Sequence, residues 1–138
     1  MRYEDYITLI DEINAKVEGI RKTYTFEPTK SVIVPCLYTK LLSGAFDTVS
    51  SAELAHWDIA IILLLSYTED ERCELQVAKF VDRVRETYQQ KVQLGGELSG
   101  QAQIMSVTAS YIPFGKAIYR YVEFRLRIED INPVDFKS

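Results

Sequence analysis

The stretch AHWDIAIILLLSY, residues 55–67, decides the architecture. Trp57, Ile59, Ile61, Leu63, Leu65 and Tyr67 fall on alternate positions, the period of a β-strand. His56, Asp58 and Ser66 occupy the ends of the other face, but Ile62 and Leu64 make its middle apolar as well. A strand apolar on both faces belongs at the centre of a sheet and needs cover on both sides, with a second subunit a candidate for one of them. Its apolar run, Ile59 to Leu65, falls far short of the roughly 20 residues of a membrane helix.

Beyond this strand, Thr68-Glu69-Asp70-Glu71 fits a capping box, with Thr68 as N-cap and Glu71 reaching back. Cys73, Val77, Phe80, Val81, Val84 and Tyr88 then recur at helical spacing as a buried stripe. Acidic residues crowd the first turns, and Lys79, Arg83, Arg85 and Lys91 follow, as the helix dipole favours. Gly95, Gly96 and Gly100 punctuate the exit, and from Val92 to Ile112 the only charged residue is Glu97. Gln101 to Ile112 alternates as a strand, Pro113 to Lys116 reads as a turn, and Ala117 to Glu129 returns as a second long strand. Ile118, Val122, Phe124, Leu126 and Ile128 would point to the core; Tyr119, Tyr121, Glu123, Arg125, Arg127 and Glu129 would point outward. The tail from Ile131, with Pro133, reads as an extended arm.

On the N-terminal side, Tyr6, Ile10, Ile13, Val17, Ile20 and Tyr24 share one face of a helix over Tyr3 to Tyr24, weakened at Gly19 and broken before Pro28. Ser31 to Leu42 opens on the β-branched run Val32-Ile33-Val34. Pro35 has no amide to donate there, so an edge strand or a bulge is expected. Ser43 to Glu53 reads as a long loop and a contact surface. The whole is a single domain, residues 1–138, of class α+β: two helices on a largely antiparallel sheet, in the order α-β-β-α-β-β, closed by a long C-terminal hairpin.

Apolar residues form 47% and charged residues 26% of the 138, the profile of a folded globular chain. Sixteen Lys and Arg against twenty Asp and Glu leave a net charge of -4, which argues against a generally basic nucleic-acid binder. Two cysteines, Cys36 and Cys73, are too few for a disulfide framework and read as reduced, buried small hydrophobes. With no basic-then-apolar leader at the N-terminus, a soluble protein made inside the cell is expected.

Catalytic equipment is sparse. One histidine, His56, excludes His-paired metal sites and is expected half-exposed at a strand end. A Cys36/His56 nucleophile pair lacks an orienting third group. Glu69-Asp70-Glu71 is explained by its place at a helix start. No phosphate-loop, dinucleotide, C-x-x-C or nucleophile-elbow spacing occurs. No cofactor, metal or enzymatic activity is expected. The outward face of the last strand remains: Tyr119, Tyr121, Arg125 and Arg127 have the chemistry to stack on and pair with nucleic acid. Glu123 and Glu129 interrupt it, and alternating signs favour a protein contact over a phosphate track. A solvated outer face and a subunit interface are both open.

The amphipathic first helix, HWDIAIILLLSY, the helix DERCELQVAKFVDRVRETYQQ and the hairpin IMSVTASYIPFGKAIYRYVEFRLRIE together resemble tailed-phage neck proteins, the tail-terminator (tail-completion) type above all. The resemblance covers roughly residues 3 to 130 and rests on element order, size and texture, without a signature motif. It implies a virion protein of the phage neck, made in the bacterial cytoplasm, that forms a ring, taken as a hexamer. Such a ring caps the tail tube, ends its polymerisation and presents a surface to the head connector or stopper, with DNA passing through its lumen. Heterologous contacts that close make such rings, and they would bury an otherwise unexplained sheet face. Tyr119, Tyr121, Glu123, Arg125 and Arg127 are then the subunit-interface candidates. Phe46, Met105 and Phe114, in the Ser43–Glu53 and Val92–Ile112 segments and at the hairpin turn, are the docking candidates for tube and connector. The alternatives are another head-tail connector or head-completion protein, or a small non-catalytic ligand-binding module with an apolar pocket between helix and sheet.

Overall fold

The computed structural model describes residues 2–49, 51–68, 71–91, 93–94 and 100–133. In chain order these form α1 (Tyr3–Asn14), β1 (Lys22–Tyr24), β2 (Cys36–Val49), β3 (Ala52–Ser66), α2 (Glu71–Gln89), β4 (Gln101–Phe114) and β5 (Ala117–Pro133). The five strands make one sheet in the order β1-β2-β3-β5-β4. Only β1 and β2 run parallel. The class is α+β, with the long C-terminal hairpin and one short strand, β1, that the sequence pattern does not announce.

β3 is the middle strand, flanked by β2 and β5. Ile59 through Leu65 are all buried, and they divide by parity between two cores. On one face Ile59, Ile61, Leu63 and Leu65 join Val122, Phe124, Leu126 and Ile128 of β5, and α1 and α2 close over them with Tyr6, Ile10, Ile13, Phe80, Val84 and Tyr88. On the other face Ala60, Ile62 and Leu64 meet Cys36 and Tyr38 of β2, with Tyr24, Val32, Val34, Ile112, Tyr119 and Tyr121 packed at the margin. The cover on this second side is the chain's own segment between β1 and β2.

Two buried phenols tie the helices down. Tyr6 donates to Asp130 Oδ2 at 2.6 Å, linking α1 to β5, and Tyr88 donates to Asn14 Oδ1 at 2.6 Å, linking α2 to α1. Arg120, also buried, reaches α2 through Glu74 (3.1 Å), donates to the Ser110 carbonyl (2.8 Å) and lies 4.4 Å over the Tyr111 ring.

Several local expectations are corrected. α1 stops at Asn14, ten residues before Tyr24, because i→i+3 bonds tighten its end and Gly19 takes a left-handed φ of +90°. Val17 stays buried after the helix has ended, so the apolar spacing outlasts the element. Val32-Ile33-Val34 is not a strand; β2 begins at Cys36, after a cis Val34-Pro35 bond. Within the expected loop, Ser43 to Val49 and Ala52 to Glu53 are strand, the end of a long β2–β3 hairpin in register from Cys36↔Leu64 to Val49↔Ala52 with a bulge at Leu42. Pro113 and Phe114 belong to β4, leaving Gly115-Lys116 as the turn. β5 runs through Pro133, so Ile131 to Pro133 are strand and not an arm; residues 134–138, like Glu69 and Asp70 of the capping box and Gly95-Gly96, lie outside the described residues. Ile118 takes the helix-side parity but is 55% exposed, lying past the end of the covered core.

Trp57 is held among Tyr3, Tyr6 and Phe46, with ring centroids 5.0, 6.2 and 5.1 Å away. A side chain at Gly44, its partner on β2, would meet the indole at 2.7 Å. The glycine is there for the ring's sake.

Candidate assembly interface

The face of β5 away from the helices splits into two zones. Tyr119 and Tyr121 are half-buried against the second core, and the Tyr121 hydroxyl donates to Glu123 Oε1 at 2.9 Å. Burial, reinforced by that carboxylate, drives the Tyr121 phenol far above its ordinary range. Further along, Arg125 and Arg127 are exposed. Cross-strand register sets Glu123 beside Ile62 and Thr108, Arg125 beside Ala60 and Ser106, and Arg127 beside Asp58 and Gln103.

This second zone is a polar field of both signs. Arg127 Nε bonds Asp58 at 3.2 Å, Ser43 donates to the same carboxylate at 3.3 Å, and His56 Nδ1 lies 3.7 Å from Glu129. Lys40 shares the face through its pairing with Ala60. Arg125 has no ionic partner among the described residues. Salt-screened surface pairs of this kind contribute little to folding, about 0–1 kcal/mol each, so the field is better suited to matching an opposing surface.

The three docking candidates do not form one patch. Phe46 is 55% exposed on the outer half of the β2–β3 hairpin, edge-on to Trp57. Met105 is the bulged residue of β4, three strand spacings across the sheet, about 14 Å, and four to five residues along it from Phe46. Phe114 packs at 6.4 Å against Tyr119 beside the β4–β5 turn. Leu41 and Leu42 are exposed on the same hairpin as Phe46, and periodicity does not mark them because the bulge at Leu42 breaks the alternation there. Arg120 carries no signal in the sequence pattern, since its parity places it among core residues, where a guanidinium is not expected.

Cys36 and His56 do not meet. Cys36 pairs with Leu64, eight residues along β3 from His56, a separation of about 26 Å. His56 is half-exposed as expected, but within β3 instead of at its end. A cleft of about 330 Å³ opens between the end of α2 and the start of β4, lined by Arg85, Tyr88, Gln89 and Gln101 to Ile104. Its lining is mixed, with Arg85, Gln89, Gln101 and Gln103 beside Tyr88, Ala102 and Ile104, where a ligand-binding module calls for a predominantly apolar one.

Burial raises the Cys36 thiol to about 11 from an ordinary 9, against a partial offset from its hydrogen bond with the Leu64 backbone. A thiol whose folded pKa exceeds its unfolded one stabilises the fold fully below the unfolded value and loses that contribution as pH climbs through the folded value. Stability is therefore expected to hold up to about pH 9 and to fall between pH 9 and 11, with Cys36 inert to a disulfide reagent at pH 8. Rapid labelling of Cys36 in the native protein at pH 8 would contradict its burial. No family model matches the sequence, and no curated protein matches it.

Proposed function

We propose that this chain is a structural subunit of a tailed-phage neck, a tail terminator that closes as a six-membered ring on the end of the tail tube, stops tube growth and receives the head connector. The observation that carries the reading is the helix-free sheet face. Its polar half, with Lys40, Asp58, Arg125, Arg127 and Glu129, is open, and it lies beside a hairpin that exposes Leu41, Leu42 and Phe46. A small domain whose helices seal one face has this face and this hairpin left for several partners at once. A field of mixed charges fits head-to-tail contact with a neighbour better than it fits DNA, and a net charge of -4 suits a lumen through which DNA slides without adhering.

Electron microscopy of the protein mixed with tail tubes of the particle that encodes it tests the reading. Rings seated on tube ends are expected. Arg125→Glu, at an exposed position that the fold does not use, is expected to abolish them while leaving the circular dichroism spectrum unchanged. Bare tube ends at saturating wild-type protein would overturn the proposal. Tyr121→Asp is a poorer probe, since Tyr121 also packs on the second core.

A further inference from the structure

Among the described residues β4 is an open edge of the sheet, and it is fourteen residues long without a single charge: QAQIMSVTASYIPF. Open edges are ordinarily blunted by charges, prolines or bulges, because their unpaired amides and carbonyls template another strand. The opposite edge follows that rule. Beyond the three residues covered by β1, β2 carries Lys40, the bulge at Leu42, Gly44 and Asp47. β4 has only two such interruptions, the bulge at Met105 and Pro113. Between them lies a clean segment, Ser106 to Ile112, and Ala109 is its midpoint.

We propose that the unassembled protein is a two-fold dimer in which β4 pairs antiparallel with β4 of a second copy, in the register that places Ala109 opposite Ala109. The segment is its own complement in that register. Val107 falls opposite Tyr111, so a β-branched and an aromatic side chain, 36% and 54% exposed in the single chain, cover one another on the helix side. Tyr111 is already held in place by Arg120 and by an edge-on contact with Tyr67 at 5.1 Å. On the other face Thr108 meets Ser110, two hydroxyls able to bond. The two interruptions also coincide: the proline, which has no amide to offer, falls opposite the bulged Met105, so pairing ends at the same rung on both strands. No like charges oppose one another, because the strand has none. A two-fold contact has no place between neighbours in a closed head-to-tail ring, so this pairing describes the free chain and does not rest on the neck reading.

Single cysteines in the full chain test the register, with both native cysteines buried and out of the way. In the proposed pairing, residue 109 of one copy lies within disulfide reach of its mate, whereas two copies of residue 107 are offset by about 13 Å along the strands. Under oxidised glutathione, Ala109→Cys is expected to run as a covalent dimer, Val107→Cys as a monomer, and Val107→Cys mixed with Tyr111→Cys as a dimer again. Equal cross-linking at 107 and 109 would overturn the register. Sedimentation of the wild type should give twice the 15.9 kDa protomer mass, halved by Ala109→Lys, which sets two ammonium groups face to face. A wild-type monomer at every concentration, or a larger species that Ala109→Lys leaves intact, would overturn the dimer. The second result would still leave the ring reading standing.

Discussion

Ile62→Glu is expected to leave the chain unfolded at pH 7.5 and partly refolded near pH 5. Ile62 is 1% exposed and lies on the face of β3 turned away from the helices, paired with Tyr38 on β2 and Glu123 on β5. The side chains packed around it are Cys36, Tyr38, Ala60 and Leu64 with aromatic and β-branched neighbours, while the cations of this face, Lys40 and Arg125, sit at the next same-face position beside Ala60 and are exposed. An uncompensated buried charge costs about 3–5 kcal/mol, on top of the lost burial of the isoleucine, and together these reach the lower end of a small domain's stability of about 5–15 kcal/mol. The new carboxyl escapes part of the penalty by staying protonated, so its folded pKa rises above the unfolded value of about 4.3. The penalty is then largest above the folded pKa and shrinks as pH falls, giving recovery on acidification. Far-ultraviolet circular dichroism at the two pH values reads the result. A variant as stable as wild type at pH 7.5 would mean that the segment between β1 and β2 does not seal this side.

The second large effect belongs to the helix side. Phe124 is fully buried, between Ile61 of β3 and Val107 of β4 in register. Phe124→Ala removes a ring from the middle of the main core, and a loss of about 3–5 kcal/mol is expected in urea unfolding. Because edge strand β4 touches the core here through a half-exposed valine, the cavity is open to partial collapse and the cost should sit toward the lower end of that range. A loss under about 1 kcal/mol would show that the site closes completely, contrary to the close packing of protein interiors.

Which parts of this molecule were legible in its sequence follows from burial. The central strand, the stripe of α2 and the inward face of β5 from Val122 to Ile128 carry an unbroken apolar period, and each lies where that period places it. The outer half of the β2–β3 hairpin does not, because Lys40 to Thr48 are exposed on both sides and nothing there selects apolar residues at every second position. Ser43-Gly44 reads as a turn signal, yet Gly44 is a strand residue that clears room for Trp57. The apolar pattern of α1 runs past the helix for the opposite reason: Val17 and Ile20 continue to pack on the core after the backbone has left the helix. The candidate interface was half legible. Alternation put Tyr119 through Arg127 on one face, but only the three-dimensional path of residues 24–34 divides that face into a covered aromatic end and an open charged one.

One consequence of the doubly buried β3 concerns alignment. Register normally comes from the penalty for turning an apolar face to water, and over Ile59 to Leu65 a slip by one residue exchanges one greasy side for another at almost no cost. The strand must therefore be indexed from outside its own centre. Asp58 against Arg127, His56 against Glu129 and the indole of Trp57 in the niche left by Gly44 are the marks that set it. All three cluster at the N-terminal half of β3, so that the polar end of the sheet fixes the alignment of its apolar end.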